Sequence, residues 1–199
     1  MTRICIWGDS ITWGAFDKEK QGWVNRLRHY LENNLKDYFE VYNLGISGDN
    51  SAKLIKRFEV ECAARDPDII IFAIGINDSQ YINDKNNARV ILQDYEENLQ
   101  TLINLAKKFS SKIAFIGLTR VVETKVMPIP WGPDKFYDNE KIKSYDNKLK
   151  EVASKNNLPY IHMFDLLEDD ELGDGLHPDS TGHEKMFQKI RPFLEGNFT

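Results

Sequence analysis

The stretch Asp66-Pro67 followed by Asp68-Ile69-Ile70-Ile71-Phe72-Ala73-Ile74 restricts this chain more than any other. A residue before proline disfavours the α conformation, so a helix arriving from upstream stops at Asp66. The run behind the proline is apolar without alternation. A strand with one wet face alternates, whereas a strand buried on both faces does not. The run therefore calls for a parallel sheet covered by helices on each side. It ends at Gly75-Ile76-Asn77-Asp78.

The rest of the chain alternates in a compatible way. Arg3-Ile4-Cys5-Ile6-Trp7 reads as a first strand running into Gly8-Asp9-Ser10, and residues 9–21 as a loop. Trp23, Leu27, Tyr30, Leu31 and Leu35 recur at helical spacing and predict a helix over 21–36. Phe39 to Asn43 is a second strand, ending at the glycine-punctuated Leu44-Gly45-Ile46-Ser47-Gly48-Asp49. Leu54, Ile55, Phe58 and Cys62 mark a second helix with Asp49, Asn50 or Ser51 as its cap. A loop over 79–87 precedes a helix over 88–109, and Ile113 to Leu118 forms a fourth strand. Three prolines and a glycine between 127 and 133 exclude a regular element there. Ile142, Tyr145, Leu149, Val152 and Ala153 predict a further helix, and Pro159 to Met163 a fifth strand. A last helix begins near Thr181, which stands at capping-box spacing from Glu184. Five strands alternating with five helices predict one three-layer α/β/α domain over 1–199. Right-handed crossovers put every strand's carboxyl end on one rim, so the loops at Ser10, Gly48, Asn77, Trp131 and His177 should meet there.

That rim holds the parts of an acyl-transfer site: a hydroxyl, a base, a group that orients the base, and donors for an oxyanion. Ser10 supplies the hydroxyl. His177 is the histidine placed in a strand-end loop with a carboxylate close by, since Asp174 stands three residues before it. Asn77 offers an uncharged amide donor, and Gly48 a backbone N–H that no side chain obstructs. Each signal alone is ordinary turn sequence; four complementary ones at four strand ends are not.

Gly8-Asp9-Ser10, Ser47-Gly48, Gly75-x-Asn77-Asp78 and Asp174-x-x-His177 resemble, in order and spacing, the four sequence blocks of the SGNH hydrolase superfamily, the GDSL esterases and lipases. Ile11 stands where that family's name has leucine. The resemblance implies a flavodoxin-like sheet of order 2-1-3-4-5, with Ser10 as nucleophile, His177 as base and Asp174 orienting it. It also implies an oxyanion hole of the Ser10 N–H, the Gly48 N–H and the Asn77 side chain. The implied reaction is two-step carboxylic ester hydrolysis, needing neither metal nor organic cofactor.

The expected substrates are short-chain acyl esters or acetylated carbohydrates. Asp9, Trp13 and Trp131 are the candidate substrate contacts, although Trp131 can equally pin its own loop down. A thioesterase or lysophospholipase would use the same machinery, and a silent sugar- or acyl-binding module would keep the pocket without the reaction. A flavodoxin-type cofactor domain is a poor match, since Gly8 to Gly14 offers one serine, one threonine and one aspartate. Arg120 is expected to pair with Glu123. The formal charge of −5 argues against a general nucleic-acid or anionic-membrane binder. Cys5 and Cys62 are read as buried free thiols. No run approaches the ~18 apolar residues of a membrane span. No secretory leader is legible before Ile4, so a cytoplasmic location is expected.

Overall fold

In a computed structural model of the protein, which describes residues 1–34 and 38–198, the apolar run lies at the centre of a five-stranded sheet. The strands are β1 (Thr2–Gly8), β2 (Phe39–Gly45), β3 (Ile69–Ala73), β5 (Lys112–Ile116) and β7 (Tyr160–Ile161). They are all parallel and ordered β2-β1-β3-β5-β7, which is 2-1-3-4-5 when only these five are counted. In β3, Ile69 to Phe72 are buried without exception, flanked by Ile4 to Trp7 of β1 and Lys112 to Phe115 of β5. Complete burial of one such side chain contributes about 1.5–3 kcal/mol.

The long helices are α2 (Trp23–Asn34), α3 (Ser51–Arg65), α5 (Leu92–Ala106), α7 (Asn139–Lys155) and α8 (Ser180–Phe198). α2 packs against α8, while α5 touches both α3 and α7. Trp23, Leu27 and Leu31 form the buried stripe of α2; Leu35, predicted on the same stripe, lies outside the described residues. Asn50 caps α3, its side chain accepting from the Lys53 N–H. Asp66 closes α3 in the left-handed region at φ 48°, its N–H on the Cys62 carbonyl. No helix among the described residues is long and apolar enough to cross a membrane. Cys5 and Cys62 are free and buried, and burial pushes both thiols up to about 12.

Several local expectations need correction. The loops after β1 and β3 each contain one helical turn, α1 (Ser10–Trp13) and α4 (Ile76–Ser79), and a third turn, α6 (Glu123–Val126), follows β5. Single turns carry too few apolar positions to show a period. β4 (Tyr81–Ile82) and β6 (Lys135–Phe136) form a small antiparallel ribbon where loops are predicted. α5 begins at Leu92, because Ile91 is extended and half exposed. Thr181 is not the cap of α8: the Asp179 side chain accepts from the Gly182 N–H and its carbonyl from the His183 N–H. Glu184 bonds Arg26 instead. Arg120 pairs with Asp169 at 2.7 Å rather than with Glu123, whose carboxylate accepts from the Asn139 N–H.

Candidate active site

Ser10 owes its position to the residues on either side of it. At Gly8 an added Cβ would lie 2.5 Å from the Ala73 carbonyl oxygen, so only glycine lets β1 end this close to β3. Asp9 then caps α1, accepting from the Ile11 N–H at 2.9 Å, and Gly14 ends the turn at φ +99°. Ser10 is thus the first residue of a helical turn capped at both ends on the rim. Its Oγ lies 2.9 Å from Nε2 of His177.

Asp9 itself is buried beside Ile11, Thr12, Trp23 and Thr119, beneath the cleft rather than in its wall. Burial pushes its carboxyl up to about 6. The raised value fixes the direction of a pH effect. Below the ordinary carboxylate value both folded and unfolded chains hold the proton, and the site costs nothing. As pH rises through about 6 the folded chain must carry a buried charge, and stability falls. Asp9→Asn keeps the capping oxygen and discards the charge. It is expected to raise unfolding free energy by on the order of 2–3 kcal/mol at pH 8, a gain that vanishes near pH 4. Urea titrations at the two pH values check this.

His177 is held by a turn that its own partner builds. Asp174 Oδ1 accepts from the N–H groups of Leu176 (3.0 Å) and His177 (2.8 Å), while Oδ2 lies 2.7 Å from His177 Nδ1. Burial alone would raise the Asp174 carboxyl, but the ring and backbone bonds from His177 outweigh it and hold the group below the usual range. An ionised Asp174 places the imidazole proton on Nδ1 and leaves Nε2 as acceptor for the Ser10 hydroxyl. Two rings flank the imidazole: Phe16 at 5.2 Å and 9° between planes, and Trp131 at 6.1 Å and 29°. The other buried histidine, His183, is tied between the Trp23 N–H and the Ala15 carbonyl, and burial lowers it to about 4.

Gly48 adopts φ +76°, a left-handed conformation suited to glycine, and nothing lies within 4 Å of where its Cβ would be. Its carbonyl accepts from Arg89 Nη2 at 3.0 Å. The next residue, Asp49, pairs with Arg57, which also donates to the Gly8 and Leu44 carbonyls and so ties the β1 and β2 ends together. Asn77 is buried in α4. Tyr137 donates to its Oδ1 at 2.7 Å, which turns the amide so that Nδ2 donates to the Asp49 carbonyl at 2.9 Å. The second Nδ2–H has no protein acceptor among the described residues. Behind it, Asp78 accepts from the Ser51 N–H and hydroxyl; burial pushes this carboxyl up to about 7 despite those bonds.

Ser10, Gly48, Asn77, Trp131, Asp174 and His177 all line one open cleft of about 510 Å³. Trp13 does not; it is 58% exposed and lines a neighbouring depression with Asn43, on the far side of Phe16. Phe16, Tyr137 and Arg89 also line the cleft, and no sequence pattern marks them. A phenylalanine in a loop carries no period, and the roles of Tyr137 and Arg89 depend on contacts 60 and 41 residues away.

A flavodoxin-like sheet with a serine, a histidine and an amide meeting at its carboxyl rim defines a class of ester hydrolase. Residues 6–185 match the model of the GDSL-like lipase/acylhydrolase family, and the chain belongs to that family. The human isoamyl acetate-hydrolyzing esterase 1 homolog is 27% identical over 207 residues, covering 97% of this chain and 81% of its own. A lipase/acylhydrolase from Enterococcus faecalis superposes with a TM-score of 0.81 at 24% identity, covering 98% of this chain and 96% of its own. The acetylxylan esterase Axe2 from Geobacillus stearothermophilus does so with a TM-score of 0.77 at 21% identity, covering 100% and 95%. The protein is a carboxylic ester hydrolase of the GDSL type.

Proposed function

We propose that Ser10, His177 and Asp174 form the catalytic triad of a two-step serine esterase acting on short-chain acyl esters, acetyl esters of alcohols or carbohydrates among them. The observation that carries this reading is the unbroken chain Ser10 Oγ–His177 Nε2–Asp174, with contacts of 2.9 and 2.7 Å. His177 takes the proton of Ser10 as its oxygen attacks the ester carbonyl, and the oxyanion accepts from the N–H groups of Ser10 and Gly48 and from Nδ2 of Asn77. His177 then protonates the departing alcohol. Water, activated by the same imidazole, releases the acid and restores Ser10.

The names of the human relative and of Axe2 support acetate as the acyl group. Aromatic side chains beside His177 support an alcohol portion lying against Phe16 and Trp131, because the leaving oxygen must reach Nε2. A series of p-nitrophenyl esters from acetate to palmitate, run beside Ser10→Ala, tests both parts. The expected kcat/KM is highest at acetate to butyrate and falls with longer chains, and Ser10→Ala is inactive on all of them. Preference for palmitate would overturn the substrate assignment.

A further inference from the structure

The cleft carries an excess of positive charge that ester hydrolysis itself does not use. Besides Ser10 and His177 it is lined by Lys53, Arg89 and Lys135, and its one lining carboxylate, Asp174, is engaged by His177. None of the three cations has a carboxylate within ion-pair distance among the described residues. Arg89 is only partly exposed, and both of its guanidinium bonds go to neutral oxygens, Gln80 Oε1 and the Gly48 carbonyl. Lys135 is rooted in β6, where its backbone bonds both Gly132 and Ile129. Lys53 stands in the first turn of α3, a helix with no acidic residue there. A cation at that end opposes the helix dipole, which the Asp78 carboxyl meets from within the fold at the Ser51 N–H. All this occurs in a chain whose formal charge is −5.

From these placements we infer that the preferred substrate is an anionic ester, whose carboxylate or comparable acidic group is held by Lys53, Arg89 and Lys135 while its ester carbonyl meets Ser10. The inference rests on the serine-esterase reading above and narrows its substrate class. Three unpaired cations in a cleft raise the local concentration of an anion and orient it, and salt weakens both effects.

Two matched substrate pairs test it. In one, 4-acetoxybenzoate is compared with its methyl ester, which moves the charge on the alcohol side. In the other, monophenyl succinate is compared with phenyl butyrate, which moves it on the acyl side. With spontaneous hydrolysis subtracted, the anion in at least one pair is expected to be favoured in kcat/KM by about tenfold at low salt, with the preference falling as sodium chloride is raised toward 1 M. In the Lys53→Gln/Lys135→Gln variant the anion-to-neutral ratio is expected to collapse through a higher KM for the anion. Neutral esters hydrolysed as fast as or faster than their anionic partners in both pairs would overturn the inference while leaving the esterase reading intact. A preference that survives both the double substitution and high salt would also overturn it. If Ser10→Ala retains the activity on these esters, the esterase reading itself falls.

Discussion

The His177→Ala variant is expected to lose on the order of 10⁴–10⁶ in kcat, with KM little changed. In the proposed mechanism the imidazole serves both steps, taking the Ser10 proton and delivering one to the leaving alcohol, and no other base lies within hydrogen-bond distance of Ser10 Oγ among the described residues. What survives is the contribution of the oxyanion donors and of substrate binding. In that mechanism nucleophile and base act as one unit, so Ser10→Ala/His177→Ala should be no slower than either single variant. Asp174→Asn should cost about 10⁴, because an amide facing Nδ1 no longer fixes the tautomer that leaves Nε2 free to accept. Initial rates with saturating p-nitrophenyl acetate, corrected for spontaneous hydrolysis, measure all of these. Additive losses in the double variant would show that Ser10 and His177 do not act together.

Arg26→Ala is expected to cost about 3–5 kcal/mol of unfolding free energy, the largest single effect on stability. The Arg26 guanidinium is 4% exposed and the Asp17 carboxylate fully buried, and the two form an ion pair. Arg26 also donates to Glu184 and to the Ser180 carbonyl at 2.9 Å each. Asp17 in turn accepts from the N–H groups of Glu19, Lys20 and Gly22 and from the Ser180 hydroxyl. Removing the guanidinium strands a carboxylate in the interior, and that penalty exceeds the net worth of the pair. Arg26→Ala/Asp17→Asn should therefore be less destabilised than Arg26→Ala alone. Urea unfolding followed by tryptophan fluorescence would show the ordering. This network joins the loop carrying Phe16 to the start of α8, three residues past His177.

The sheet was legible because its signal is local: the unbroken apolarity of Ile69 to Phe72 already requires helices on both faces, and right-handed crossovers put the strand ends on one rim; the order 2-1-3-4-5 came only with the family resemblance. Ser10, Gly48, Asn77 and His177 were legible as candidates because each follows a strand and carries chemistry its neighbours lack. Asp9 and Trp13 belong to the same legible block, yet one turns beneath the cleft as a cap and the other away from it. Sequence adjacency does not say which way a side chain leaves a single helical turn. The Arg26–Asp17–Ser180 network was invisible for a different reason. Its members are ordinary surface residue types, and Arg26 and Asp17 are buried only once α2 packs on α8. Thr181 stands at capping-box spacing without capping, because Asp179 two residues earlier competes for the same N–H groups with a better acceptor.

Covalent trapping tests the central assignment most directly. The protein treated with a fluorophosphonate should gain the mass of one phosphonyl group, with peptide mapping placing it on Ser10 and esterase activity lost in proportion. Ser10→Ala should remain unlabelled, folded and inactive. A label on another residue, or ester turnover persisting in Ser10→Ala, would contradict the account.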